Sequence, residues 1–310
     1  MPFKTISRAI LPPSVWRAMQ SMRRSVALRR YAARGGYPFS IGYSLYQQRF
    51  IGRVLADPEL LGRFARGDAL PLGYGIGLDE RCVEYPWLIA QLDPRPGTLL
   101  DAGSTLNREL ILDLPVLRAQ VLHILTLAPE DACFWQRGIS YLYHDLRSLP
   151  IRDGFYDTIA CLSTLEHIGC DNSGYTGDSA DSEDRRDDYL IALRELARVL
   201  KPGGTLFITV PFGAYRHLRV QQQLDGPMLA RMRGALSGAG ELLETFYRYS
   251  SHGWVASREA DCADAEYVEW SADIWASGRL PRPLPTEPDG AVAARAVACL
   301  RLNRSPACGF

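Results

Sequence analysis

The chain has 310 residues, 47% hydrophobic and 23% charged, a composition that allows one large globular domain or one domain with an appendage. Its formal net charge is zero, so nothing in the overall balance calls for a polyanion, and no nucleic-acid partner is expected. Seven cysteines without a CxxC pair argue against a disulfide framework or a cysteine-built zinc site, and no apolar run is long enough for a signal peptide or a membrane span, so a cytoplasmic setting without a metal is expected.

Charge is uneven at the start. Residues 1–35 hold eight basic residues (Lys4, Arg8, Arg17, Arg23, Arg24, Arg29, Arg30 and Arg34) and no acid. Two readings stand side by side. One is a helix lying peripherally on anionic lipid, with Val15, Trp16, Met19, Met22, Val26 and Leu28 as its apolar side. The other is a helix packed on the rest of the protein with its basic face in solvent.

Residues 1–96 read as a helical extension or lid. Helical spacing covers 15–33, 59–65 and 84–92, and "PLGYGIG" at 71–77 is too glycine-rich for regular structure. After a Pro/Gly break at 94–97 the pattern changes, and residues 97–310 read as a second unit. Short apolar runs predict strands at 98–103, 120–129, 138–146, 156–165, 203–213, 241–250 and 295–303. Cys161 and Cys299 fall inside two of them as small buried hydrophobes. Tyr189, Leu190, Leu193, Leu196, Ala197 and Leu200 repeat at helical spacing until "KPGG" interrupts them. A proline-rich crossing at 278–288 precedes the last run. Alternating strands and helices predict an α/β fold, with a seven-stranded, mostly parallel sheet covered by helices on both faces.

Three stretches carry a likeness to a known family. "LLDAG" (99–103) ends an apolar run on an acid and a glycine. "HDLRSLPIRDGFYDTIACLSTLEHIG" (144–169) sets an Asp–hydrophobic pair before "LP", "FYD" and "LEH". "ELARVLKPGGTLFITVPFG" (195–213) joins a helix, a turn and a strand. In this order they resemble the class I S-adenosylmethionine-dependent methyltransferases, whose fold is Rossmann-like. That resemblance implies S-adenosyl-L-methionine as cofactor and methyl transfer to a small-molecule or glycan-type acceptor.

It also implies a site at the strand ends. Asp101, Gly103, Ser104 and Asn107 stand where the family has its glycine loop, and Asp101 would reach the methionyl amine. Only Gly103 of the usual glycines is present. Thr126 and Glu130 are the candidates for the ribose hydroxyls, Asp145 and Leu146 for the adenine, and Ser163 for the wall beside the cofactor. Glu166 and His167 stand between cofactor and acceptor, and a neutral histidine there can take a proton. Each has a plainer reading: a strand-to-helix turn, a solvated charge, a capping acid, or a hydrogen-bonded wall residue. The polar loop 171–175, Arg216, His217, Trp87, Trp254 and Trp275 are candidates for the acceptor side. The acidic run at 177–188 reads as a loop feeding the next helix. The altered loop and the absent ribose acid leave a non-catalytic binding or scaffolding protein on the same fold as the alternative. A nicotinamide-dependent oxidoreductase is disfavoured by the lack of G-x-G-x-x-G.

Overall fold

The computed structural model describes residues 12–33, 35–269 and 287–306. The expectations placed on residues 1–11, Arg34, Trp275 and most of the proline-rich crossing lie outside the described residues, as do those on the side chains of Trp16 and Arg17.

Four helices come first: α1 (Pro13–Ala33), α2 (Tyr43–Leu55), α3 (Pro58–Arg66) and α4 (Arg81–Ile89). The start of α3 is written into its sequence. The Asp57 carboxylate accepts from the N–H groups of Glu59 and Leu60, Pro58 needs no donor in the first turn, and Gly67 closes the helix in the left-handed region. Helix α2 lacked such a signal. It begins after Gly42 at φ 102, where a Cβ would run into the backbone of α1.

The sheet follows. β1 (Thr98–Ala102) leads to α5 (Glu109–Leu112) and α6 (Pro115–Arg118), two single turns instead of one helix. Pro115 has no N–H to continue the first turn and starts the second. Next come β2 (Val121–Thr126), β3 (Ser140–Tyr143), β4 (Tyr156–Leu162), α7 (Ser173–Thr176), α8 (Tyr189–Val199) and β5 (Leu200–Pro211). A two-stranded ribbon, β6 (Arg216–His217) with β7 (Gln222–Gln223), precedes α9 (Gly226–Leu236). The chain then forms β8 (Gly240–Ser250), β9 (Gly253–Ser257), α10 (Glu259–Cys262) and β10 (Ala296–Arg304).

The strand order is β3-β2-β1-β4-β5-β10-β8-β9. β3 to β5 are mutually parallel, while β10 is antiparallel to both β5 and β8. The sheet has eight strands where the sequence predicted seven. The addition is β9, a five-residue return of the β8 hairpin at the sheet edge. "KPGG" also acts differently from expectation. β5 starts at Leu200, and residues 201–204 bulge out between the Tyr156–Leu200 and Thr158–Thr205 pairings, with Gly203 at positive φ. Lys201 then reaches back to the Asp157 carboxylate at 2.7 Å.

Successive strand residues alternate between two cores. On one face Leu100, Ala102, Ile159, Cys161 and Ile208 pack against Tyr189, Leu193 and Leu196 of α8 and Leu229 and Met232 of α9. On the other, Leu99, Ile124, Ala160, Phe207 and Cys299 pack with Tyr43, Ile51, Trp87 and Leu88 of α2 and α4. The N-terminal helices are therefore one of the two covering layers. The end of α1 joins them through Tyr31, which is buried with its ring 6.3 Å from Tyr43 and 5.4 Å from Tyr46. Met22 and Val26 on the same helix are exposed. No described helix is long and apolar enough to cross a membrane.

Trp87 joins the layers most directly. It is buried, with its ring edge-on to Phe207 of β5 at 5.6 Å. Trp87→Ala is expected to cost about 3–5 kcal/mol. In urea unfolding, the near-UV dichroism of the tyrosines buried in the N-terminal layer and the far-UV dichroism of the sheet should lose that stability together, in one transition.

Candidate functional site

The chain runs outward from β1 in one direction to β2 and β3, then returns to build β4 and β5 on the other side. The strand order thus reverses between β1 and β4, where parallel sheets open a crevice beyond their carboxyl ends. A cavity of about 400 Å³ lies there, with Gly103, Thr126, Leu146, Ser163 and His167 in its walls. That size suits a small organic ligand.

The loop after β1 is held from below by Asp101. Its buried carboxylate accepts from the N–H of Leu106 at 2.8 Å, and from the N–H and hydroxyl of Thr105 at 3.1 and 3.2 Å. Burial pushes Asp101 up to about 7, against the pull of these hydrogen bonds, and the Glu130 charge adds to the rise. Asp101 therefore shapes the loop and does not line the cavity, where the resemblance had it meet the cofactor.

Gly103 (φ 113) and Ser104 (φ 59) both take the left-handed conformation. A side chain at Gly103 would collide with Thr164 from the β4 side. Ser104 holds this costly conformation while its hydroxyl donates to Glu130 at 2.7 Å. Asn107 donates to Glu130 and to the Ala132 carbonyl and accepts from Tyr141, so it ties the loop to the β2–β3 connection and stays outside the cavity lining. Side-chain bonds thus keep the turn that further glycines keep elsewhere.

Glu130 sits four residues past the end of β2 yet turns back into the cavity wall. The Tyr175 hydroxyl donates to it at 2.8 Å and takes a bond from Thr126 at 2.5 Å. Burial first, and the Glu130 bond after it, push Tyr175 up to about 12, while the Thr126 bond opposes them. The loop 171–175 therefore closes over this first cavity. The partnership of Tyr175 with Thr126 and Glu130 was hidden by 45 or more residues of separation.

Asp145 turns away from the cavity. Arg147 grips it with backbone N–H, Nε and Nη2, and bridges on to Glu183 and Asp188 of the acidic run. Burial raises Asp145, but the Arg147 bonds outweigh it and leave the carboxyl below its usual range. Its neighbours His144 and Leu146 face the cavity instead. The acidic run thus serves an ion-pair network, and no metal-holding group of His, Cys, Asp and Glu occurs among the described residues.

A second, more polar cavity of about 270 Å³ adjoins the first, sharing Arg81, Arg108, Ser163, His167, Gln221 and Tyr267 with it. Glu166 and Glu80 line this second space. His167 Nδ1 lies 2.7 Å from the Val220 carbonyl, which only accepts, so Nδ1 carries the proton and Nε2 the lone pair. Burial lowers the His167 pKa, partly opposed by that bond, which leaves the ring neutral at pH 7. Ser163 (φ 37) donates to Glu84 at 2.5 Å.

Other acceptor-side expectations fare differently. Trp87 and Trp254 belong to the core; the Trp254 indole donates to the Leu78 carbonyl. Arg216 binds the Tyr267 carbonyl and His217 lies 3.8 Å from Asp184, both away from the two cavities. Glu80, Arg81, Tyr85, Arg108 and Tyr267 also line the cavities, although nothing in the sequence analysis singled them out. The signal for the first two was available: "LDERCVE" (78–84) places four charges in a buried stretch.

The Gly103 contact gives a direct check. Gly103→Ala is expected to cost about 2–4 kcal/mol from overpacking and strain. Adding Thr164→Ala should recover part of it in urea titrations, because the collision is with that side chain.

Residues 123–208 match a family described as a methyltransferase domain. Among solved structures, the chain is similar to a Burkholderia thailandensis 1,6-didemethyltoxoflavin-N1-methyltransferase with bound 1,6-didemethyltoxoflavin and S-adenosylhomocysteine, at 12% identity and TM-score 0.41, over 97% of this chain and 93% of that one. It is also similar to YcgJ from Bacillus subtilis, at 13% identity and TM-score 0.44 over 72% and 98% of the two chains. A third is the [4+2]-cyclase SpnF, at 19% and 0.41 over 82% and 93%. The strand order, the crevice at its reversal and the family match fall on one region, and over residues 123–208 this chain is similar to a methyltransferase domain.

Proposed function

We propose that this protein transfers a methyl group from S-adenosylmethionine to a small-molecule acceptor seated in the second cavity, in a cytoplasmic setting. The observation that carries the reading is the meeting of two unlike cavities at one wall, formed by Ser163 and His167. One suits a nucleoside and the other a polar acceptor.

The residues of the first cavity fit the cofactor. Glu130 offers Oε1 to a ribose hydroxyl once Tyr175 gives up its bond, while Oε2 stays with Ser104 and Asn107. Leu125, Leu127 and Leu146 give the adenine an apolar slot. Arg81 and Arg108 bring positive charge to the shared wall, where a methionyl carboxylate would lie. When bound, S-adenosylmethionine supplies a methyl already activated on a sulfonium.

The protein's share is then alignment in a closed space, which is worth up to ~7–11 kcal/mol of barrier. His167 adds a second effect. The ring lines both cavities, and with Nδ1 held by Val220 its Nε2 lone pair is the one that can take the proton the acceptor gives up, worth about 10²–10⁴-fold. Glu166, buried behind it, belongs to the acceptor side. The alternative, a non-catalytic protein on this fold, keeps the crevice without cofactor.

Calorimetric titration with S-adenosylhomocysteine separates the two. Binding is expected, and Glu130→Ala should weaken it by roughly 10–100-fold, the worth of one or two hydrogen bonds to a charged group. No binding by folded protein at millimolar ligand would favour the non-catalytic reading. With an acceptor in hand, His167→Ala should lower turnover by about 10²–10⁴-fold. The wild-type rate should hold as pH falls through 7 and drop only below about 6.5, because the base must stay neutral and its pKa lies under the usual histidine value.

A further inference from the structure

The carboxylates around the second cavity are not equally provided for. Asp79 accepts from the Tyr43 hydroxyl, the Gln47 amide and the Arg81 N–H. Glu84 accepts from Arg81 Nη1 and from the Ser163 and Thr209 hydroxyls. Arg81 is thereby committed to Glu84. Glu80 and Glu166 remain. Each has a buried Oε2 with no hydrogen-bond partner, and both side chains line the cavity. Burial and then Glu84 hold Glu166 above its usual range, and Glu80 adds to the rise. The remaining cation on this wall is Arg108, which is exposed and shared with the cofactor-side cavity.

A buried acceptor without a donor is an unmet interaction that a ligand can complete. Two such acceptors of one sign select the ligand. A carboxylate or phosphate would be repelled. A neutral polyol would satisfy hydrogen bonds and gain nothing from ionising the two carboxyls. A divalent metal lacks a three-residue ligand group among the described residues. An ammonium brings several N–H donors and the opposite charge at once. The rings of Tyr43 and Tyr267 in the same wall add faces that favour a cation.

We infer that the second cavity recognises a small organic amine, with its ammonium seated on Glu80 and Glu166. This rests on the methyltransferase reading for the name "acceptor", but the binding site stands on its own geometry. It replaces a sugar-like acceptor with an amine-bearing one. Burial, with the charges of Asp79 and Glu84 after it, pushes Glu80 up to about 8, and Glu166 is also held above its usual range. The free cavity therefore keeps protons near neutral pH, and seating an ammonium releases them.

The test uses the full chain, with and without S-adenosylhomocysteine. Benzylamine and 1,4-diaminobutane are titrated by calorimetry against benzyl alcohol and 1,4-butanediol, in two buffers of different ionisation enthalpy near neutral pH. The expected result is binding of at least one amine by roughly ten-fold or more over its alcohol, as suits charge-assisted bonds, with net proton release. Glu80→Gln and Glu166→Gln should each reduce that preference and leave S-adenosylhomocysteine affinity unchanged. Equal binding of amine and alcohol, absence of amine binding, preference for Mg²⁺ over the amines, or a preference that survives in the double variant would overturn the inference. The comparison on wild-type protein holds even where a variant fails to fold. Loss of S-adenosylhomocysteine binding alone would instead overturn the methyltransferase reading, so the two failures are distinct.

Discussion

The buried Glu84 carboxylate is the contact on which the two-cavity arrangement depends. It lies in α4, is fully shielded from solvent, and accepts from Ser163 at the end of β4 and Thr209 in β5 while holding Arg81 at 2.7 Å. One side chain therefore fastens the N-terminal layer to the two strands that frame the site. A buried charge of this kind is costly unless every acceptor is used, and removing one partner typically costs about 3–5 kcal/mol. Here the acceptors are used, and the consequence is positional. Arg81, Ser163 and His167 are brought to one wall, with a cavity on either side.

The second constraint is the reversal of strand order between β1 and β4. It places the β1 loop, Glu130 and the β4 end around one space, whatever residues occupy the loop. That explains how the loop tolerates the loss of glycines. Asp101 grips its backbone, Ser104 accepts a left-handed conformation, and Asn107 ties it to the following connection. The shape is retained by different means, and a carboxylate from further along the chain comes to the β2 end.

Much of this was legible in the sequence because it is local. The apolar runs of β1, β2, β4 and β5 announce buried strands, and the order of acid, glycine, "LP" and "LEH" gave the fold. What was not legible came from distant pairings. Nothing around Thr126 points to Tyr175, and nothing in "LLDAG" says that Asp101 will spend its oxygens on Thr105 and Leu106. Asp145 was read toward the ligand, but Arg147, two residues on, turns it toward the acidic run. The hairpin strand β9 is short and sits at the edge, where little in the sequence marks it. The acceptor side was least visible, because Glu80 and Arg81 come from the N-terminal layer, and Arg108 and Tyr267 also lie beyond the three stretches that carried the likeness.

The claim at the centre of this account is that the strand-end crevice is shaped for a sulfonium nucleoside, with the acceptor space beyond its reactive end. A crystal structure of the protein grown with S-adenosylhomocysteine tests it most directly. The ribose should then be found on Glu130, with Tyr175 moved off that carboxylate and the sulfur toward the wall of Ser163 and His167. A crevice without ligand, or ligand bound elsewhere while Tyr175 keeps its place on Glu130, would contradict it.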